Sequence, residues 1–151
     1  MATRQKPQKV LFLCTGNSAR SIFAEFFMNK IGLGRFEAYS AGNQPAGTVN
    51  PFTIRVLRDE HNMDPAGARA KSWDEFKDMR FDIVITVCDR AKESCPVFSG
   101  QPTVAHWSIP DPALATGSDE QKLRQFRDVA LEIKRRIELL CSVPTEQLDH
   151  F

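Results

Sequence analysis

The sequence predicts a single α/β domain built on a small parallel sheet. Three observations predict it. Short apolar segments with strand character alternate with helical patterns along the whole chain. The length, 151 residues, is that of one domain. The composition, 42% hydrophobic and 26% charged with 8 Gly and 9 Pro, is ordinary for a soluble globular protein. A chain of this size buries about 68–70% of its unfolded surface, so it folds without staples. A disordered, collagen-like or membrane-spanning chain is excluded. Lysine and arginine total 20 against 19 acids, a formal charge of +1, so no global field draws nucleic acid or anionic lipid. Any anion must be held by a local site.

The whole chain, 1–151, reads as this one domain, with the polar residues 1–8 as a flexible lead-in. Lys9 to Leu13 is short, continuous and apolar, as a strand buried on both faces requires. A Gly-containing loop leads to a helix from about Ala19 to Lys30, with Ile22, Phe23, Phe26, Phe27 and Ile31 at helical spacing and Gly32 as its stop. Phe36 to Ser40 is a second strand. Asn50-Pro51 reads as an N-cap and a first-position proline, opening a helix to about His61. Ser72 to Met79 is a short helix or turn. Phe81 to Val87 is the strongest strand because it is rich in β-branched residues. Thr103 to Trp107 is a shorter fourth strand. The last helix starts at Ser118, where Gln121 completes a capping box. Its apolar stripe runs from Leu123 through Phe126, Val129, Ala130, Ile133 and Ile137 to Leu140, and Pro144 ends it.

No apolar stretch near the start reaches the roughly 7–15 residues of a secretory signal or the roughly 20 of a membrane helix, so the expected location is the cytoplasm. The four cysteines, Cys14, Cys88, Cys95 and Cys141, are too scattered for an extracellular disulfide framework. Cysteines that pair in a reducing compartment are usually catalytic or redox-sensing.

The informative segment is Cys14-Thr15-Gly16-Asn17-Ser18-Ala19-Arg20-Ser21. Here a cysteine ends a strand and an arginine begins a helix. Gly16 and Asn17 both tolerate left-handed backbone angles, which suits a loop curling around an anion. Such a loop turns several N–H groups inward at a helix start, making a site for a tetrahedral oxyanion. Arg20 adds a planar bidentate clamp. The same environment is expected to depress the Cys14 pKa and make it a nucleophile. The plain alternative is a buried core cysteine with a nearby surface arginine. The flanking strand and helix, with the Gly-Asn pair, favour the functional reading.

The run V-L-F-L-C-T-G-N-S-A-R-S-x-x-A-E resembles the N-terminal signature of the low-molecular-weight tyrosine phosphatase superfamily, and its C-T-G-N-S start looks most like the arsenate reductase branch. The resemblance runs from about Val10 to the last helix. It implies a four-stranded parallel sheet flanked by helices, with the Cys14 loop as active site.

Asp111, in Ile109-Pro110-Asp111-Pro112-Ala113, reads from the residues alone as a turn; the resemblance implies a general acid, because the superfamily carries one in a matching D-P pair. Cys88 ends the strongest strand and can approach Cys14 in space. Taken alone, Cys88 and Cys95 fit two structural cysteines as well as a redox pair. Zinc finds no C-x2-C pair. The segment V-C-D-R-A-K-E-S-C-P resembles the resolving segment of thioredoxin-coupled arsenate reductases, spacing included.

Taken together, the resemblance implies that Cys14 attacks arsenate, for which phosphate or sulfate is an analogue, while Asp111 protonates the departing oxygen. Cys88 then displaces arsenite, and Cys95 moves the disulfide to Cys88–Cys95 for reduction by thioredoxin or glutaredoxin. No organic cofactor or catalytic metal is expected. Asn17, Ser18, Ser21 and Glu25 are expected to support the loop. Some relatives hold potassium behind it; here Lys71 falls near an acidic ligand of theirs, and reads either as a substitute cation or, favoured on sequence, as a solvated lysine. Cys141 is expected in the core, Trp107 in packing, and His61, His106 and His150 outside any ligand set. Two alternatives stand: hydrolysis of phosphotyrosine or another monoester, against which Ala113-Leu114 supplies no aromatic grip, and a sensor that captures arsenite on its cysteines.

Overall fold

The computed structural model describes residues 6–88 and 100–143. Among these, strands β1 (Gln8–Cys14), β2 (Phe36–Gly42), β3 (Ile83–Thr86) and β4 (Thr103–His106) form one parallel sheet in the order β2-β1-β3-β4. Helix α1 (Arg20–Ile31) joins β1 to β2, α2 (Pro51–Arg55) follows β2, and α3 (Asp119–Ser142) comes after β4. The expected α/β architecture is therefore present. β1 lies inside the sheet because Val10, Leu11, Phe12 and Leu13 are wholly apolar and fully buried, as two-faced burial requires. Its pairing with β2 begins at Gln8 opposite Phe36, so the sheet reaches into what the sequence suggested was a flexible lead-in.

Regular pairing in β3 is shorter than the segment 81–87, yet Asp82 N and Val87 N still donate to Lys9 O and Leu13 O. The ladder thus runs almost the predicted length. Phe81 serves instead in an aromatic cluster, its ring 5.7 Å from Tyr39 and 6.0 Å from Phe76. The helix expected from Pro51 to His61 changes character midway: α-helical turns end at Arg55 and a wider π-type turn covers Val56–Glu60. Its start is as read, with Asn50 Oδ1 accepting from Phe52 N. Ser72 caps a single 3-10 turn, Trp73–Phe76.

Gly32 does end α1, but not through a left-handed angle, since its φ is −93°. A Cβ there would press on the Met28 carbonyl and the Phe36 ring, each 2.9 Å away, so glycine is required for closeness. α3 begins with the expected reciprocal box, Gln121 N donating to Ser118 Oγ and Ser118 N to Gln121 Oε1. It buries Phe126, Val129, Ala130, Ile133, Ile137 and Leu140, and packs against α1. Arg35 closes the far end by donating to the Cys141 and Val143 carbonyls. Pro144 lies outside the described residues.

β1 and β2 stay in register to their ends, with Cys14 opposite Gly42. A side chain at Gly42 would run into the Thr15 carbonyl and lie 3.1 Å from Asn17 N. Backbone cannot yield there as a flexible side chain would. Gly42→Ala is therefore expected to lose about 1–3 kcal/mol of stability by overpacking, read by urea unfolding; a variant as stable as the parent would contradict this close approach.

Candidate active site

β1 delivers Cys14, and α1 begins at Arg20, so the intervening loop crosses the edge of the sheet where strand carboxyl ends lie. Asn17 takes the left-handed conformation (φ 51°), tolerated by asparagine's short polar side chain. Gly16, the other residue suited to it, does not use it. The outer side of the loop is tied to the segment after β2. Asn43 N, Gln44 N, Ala46 N and Asn50 N donate to the carbonyls of Cys14, Thr15, Gly16 and Ser18 at 3.3, 3.0, 3.0 and 3.0 Å. Sequence reasoning missed this strap, because it acts through backbone atoms and carries no side-chain pattern.

Cys14 is 2% exposed. Its Sγ accepts from Asn17 N at 3.1 Å and lies 2.9 Å from Ser21 Oγ. Lys71 N donates to Asn17 Oδ1 at 2.8 Å, and Asn17 Nδ2 donates to Ser21 Oγ at 2.6 Å. Once the sulfur is a thiolate it has no proton to give, and Ser21 is then the donor in this contact. Asn17 and Ser21 thus bond to each other and to the Cys14 sulfur. Burial pushes the Cys14 thiol up, against the pull of Ser21, the Arg20 charge and the Asn17 N–H. This corrects the expectation of a depressed pKa. The lowering groups are all present, but they act on a sulfur deprived of water.

Arg20 is buried on the opposite flank. Its Nη1 donates to Ile109 O at 3.2 Å, and its Nη2 lies 3.4 Å from Asp111 Oδ2. Asp111 makes the turn read from the residues, its Oδ1 accepting from Ala113 N at 3.0 Å, while Oδ2 faces the arginine. Cys88 is buried at the end of β3. The β1–β3 register pairs Leu13 with Thr86, and continuing it places Cys88 opposite Thr15; Thr15 Oγ1 is 3.2 Å from Cys88 Sγ. Cys14 and Cys141 are free thiols. Cys95 lies outside the described residues, as does His150.

Behind the loop the favoured solvated lysine is overturned. Lys71 is 7% exposed, and its Nζ donates to Arg69 O and Ser40 Oγ at 2.8 and 3.3 Å and lies 3.6 Å from Glu25 Oε1. Ser40 Oγ donates to the same Glu25 oxygen at 2.6 Å. Burial lowers the Lys71 pKa and Glu25 opposes that shift. The residues do not fit a bound potassium ion, because an ammonium already lies against Glu25 and Ser40. Elsewhere, Cys141 is half-buried with its thiol 3.7 Å from Met28 Sδ, Trp107 packs 5.8 Å from the Phe12 ring, His61 meets Phe27 edge-on, and His106 Nδ1 lies 2.8 Å from Thr86 Oγ1.

Among the described residues no three His, Cys, Asp or Glu side chains cluster to hold a metal ion, and no helix is long and apolar enough to cross a membrane. Residues 9–150 match the family model for low molecular weight phosphotyrosine protein phosphatases. An arsenate reductase of Halalkalibacterium halodurans is 37% identical over 128 residues, 85% of this chain and 91% of that protein. The crystal structure of an arsenate reductase from Archaeoglobus fulgidus superposes with a TM-score of 0.71 at 34% identity, covering 89% of this chain and 99% of the other. An arsenate reductase in a phosphate-binding state superposes at 0.70 with 30% identity, covering 89% and 97%. With its four-stranded sheet and its cysteine-to-arginine loop, this chain belongs to the low molecular weight phosphotyrosine protein phosphatase family.

Proposed function

We propose that this protein is a thiol-dependent arsenate reductase. The observation that carries the reading is the Cys88 thiol, 3.2 Å from Thr15 Oγ1 in the loop that starts at Cys14. A phosphatase has no use for a second thiol there. The curated relatives at 33–37% identity named as arsenate reductases support the same reading. Hydrolysis of an aryl ester is less supported, because the residue after Asp111-Pro112-Ala113 is Leu114, an aliphatic side chain left 78% exposed.

Arsenate enters the loop and is held by its N–H groups and by Arg20. The arsenate dianion takes the proton of the Cys14 thiol, the resulting thiolate attacks arsenic, an S–As bond forms, and a hydroxyl departs as water with a proton from Asp111. The Cys88 thiolate then attacks the Cys14 sulfur. As the S–S bond forms, the S–As bond breaks and its electron pair stays on arsenic, which leaves as arsenite. Arsenic is reduced by two electrons and two thiols are oxidised to one disulfide. Cys95 attacks Cys88 and releases Cys14 as a thiolate. A dithiol protein of the thioredoxin or glutaredoxin class reduces the Cys88–Cys95 pair by exchange. Ser21 donates to the Cys14 sulfur and Glu25 holds the Lys71 ammonium behind the loop, which spares the enzyme a diffusible cation.

Three outcomes test this reading. Cys88→Ser should abolish arsenate-dependent oxidation of thioredoxin while leaving one adduct per chain; sustained turnover in that variant would sink the relay. In a chain whose only cysteine is Cys14, alkylation by iodoacetamide should rise with pH to a midpoint above the ordinary thiol value of 9.0. Ser21→Ala should move that midpoint higher still, because it removes the largest opposing contact; a midpoint near 7 would refute the effect of burial. Finally, exchanging potassium for choline at equal concentration should alter turnover less than about twofold, since ionic strength and charge screening stay the same. A large potassium stimulation would show that Lys71 does not serve as the cation.

A further inference from the structure

The loop's capacity for an oxyanion depends on where its N–H groups point, and that is decided outside the loop. In a trans peptide the N–H lies opposite the preceding C=O, and no described peptide bond is cis. The strap draws the carbonyls of Cys14, Thr15, Gly16 and Ser18 outward. The following N–H groups, of Thr15, Gly16, Asn17 and Ala19, therefore turn inward. One of them is visibly so directed, since Asn17 N donates to the Cys14 sulfur.

The Ser18 carbonyl differs from the other three. It accepts Asn50 N at 3.0 Å and also Thr53 Oγ1 at 2.8 Å. Thr53 sits on α2 and is fully buried, so its hydroxyl has no water to turn to. The peptide it fixes ends at Ala19, the N-cap of α1, where no side chain caps the helix. Serine, threonine, aspartate or asparagine is usual at that position. An alanine there leaves the first N–H groups of α1 for a ligand.

We propose that Thr53 is a positioning residue for oxyanion binding: by holding the Ser18 carbonyl from behind, it aims the Ala19 N–H at the anion. This rests on the Cys14 loop being the oxyanion site, but not on arsenate being reduced there. The test accordingly reads inorganic phosphate binding by calorimetry rather than turnover.

Thr53→Val keeps the shape and removes the hydroxyl. It should weaken phosphate binding about tenfold while the thermal midpoint falls by only a few degrees, since Asn50 N still satisfies the Ser18 oxygen. Thr53→Ser, which restores the hydroxyl without the methyl, should bind phosphate as the parent does. Unchanged affinity in Thr53→Val, or equal weakening in Thr53→Ser, would overturn the proposal. Should the valine variant not fold, the unaltered chain decides: phosphate should move the Ala19 amide proton downfield in a nitrogen-15 correlation spectrum. An Ala19 resonance indifferent to phosphate overturns the proposal, whereas a parent chain that binds no phosphate at all refutes the oxyanion site itself.

Discussion

The parallel register between β1 and β3 is the constraint on which the rest of this structure depends. Pairing Leu13 with Thr86 brings the two strand ends level, so Cys88 meets Thr15, the residue that follows Cys14. A slip of one residue would turn every side chain of β3 to the opposite face. It would set the side chains of Ile83 to Thr86, buried on both faces, against layers shaped for their neighbours, and would carry the second thiol away from Thr15. Burial of apolar strand residues, at about 25 cal/mol per Å², is therefore what aligns the chemistry. No site residue needs to hold the register itself.

Around that alignment the polar groups form two chains that meet at Asn17. One runs from Asn17 through Ser21 to the Cys14 sulfur. The other runs from Asn17 Oδ1 to the Lys71 backbone, and the Lys71 ammonium meets Glu25 and Ser40. A buried ammonium is tolerable only when paired and hydrogen-bonded, and here both conditions hold. The Cys14 sulfur is thus built into a buried interior whose neighbouring polar side chains bond to one another. That interior raises the Cys14 thiol even as it supplies the contacts that oppose the rise.

The fold was largely legible in the residues because the central strands β1 and β3 are written as apolar runs and α3 carries both a capping box and a long apolar stripe. The placement of Cys14, Arg20 and Asp111 followed from motif and strand order; Arg20 meets Asp111 at 3.4 Å, and its charge acts on Cys14. What was not legible came from three-dimensional closeness. Lys71 has no local pattern that separates a buried ammonium from a solvated one; only β2 and α1 closing over it decide the matter. The strap over residues 43–50 works through main-chain donors, to which side-chain identity is nearly irrelevant. The Cys14 titration was misjudged because the sequence names the charges near a sulfur but not the water it loses.

Asp111 divides its two oxygens between different neighbours, and this has a stereochemical consequence. Oδ1 is occupied as an acceptor by Ala113 N–H. The other oxygen, Oδ2, is thereby left to the guanidinium of Arg20. The turn stiffened by Pro110 and Pro112 decides which oxygen meets the cation and stops the carboxylate from rotating. The segment after β4 and the first residue of α1 are in this way clamped to each other through one side chain.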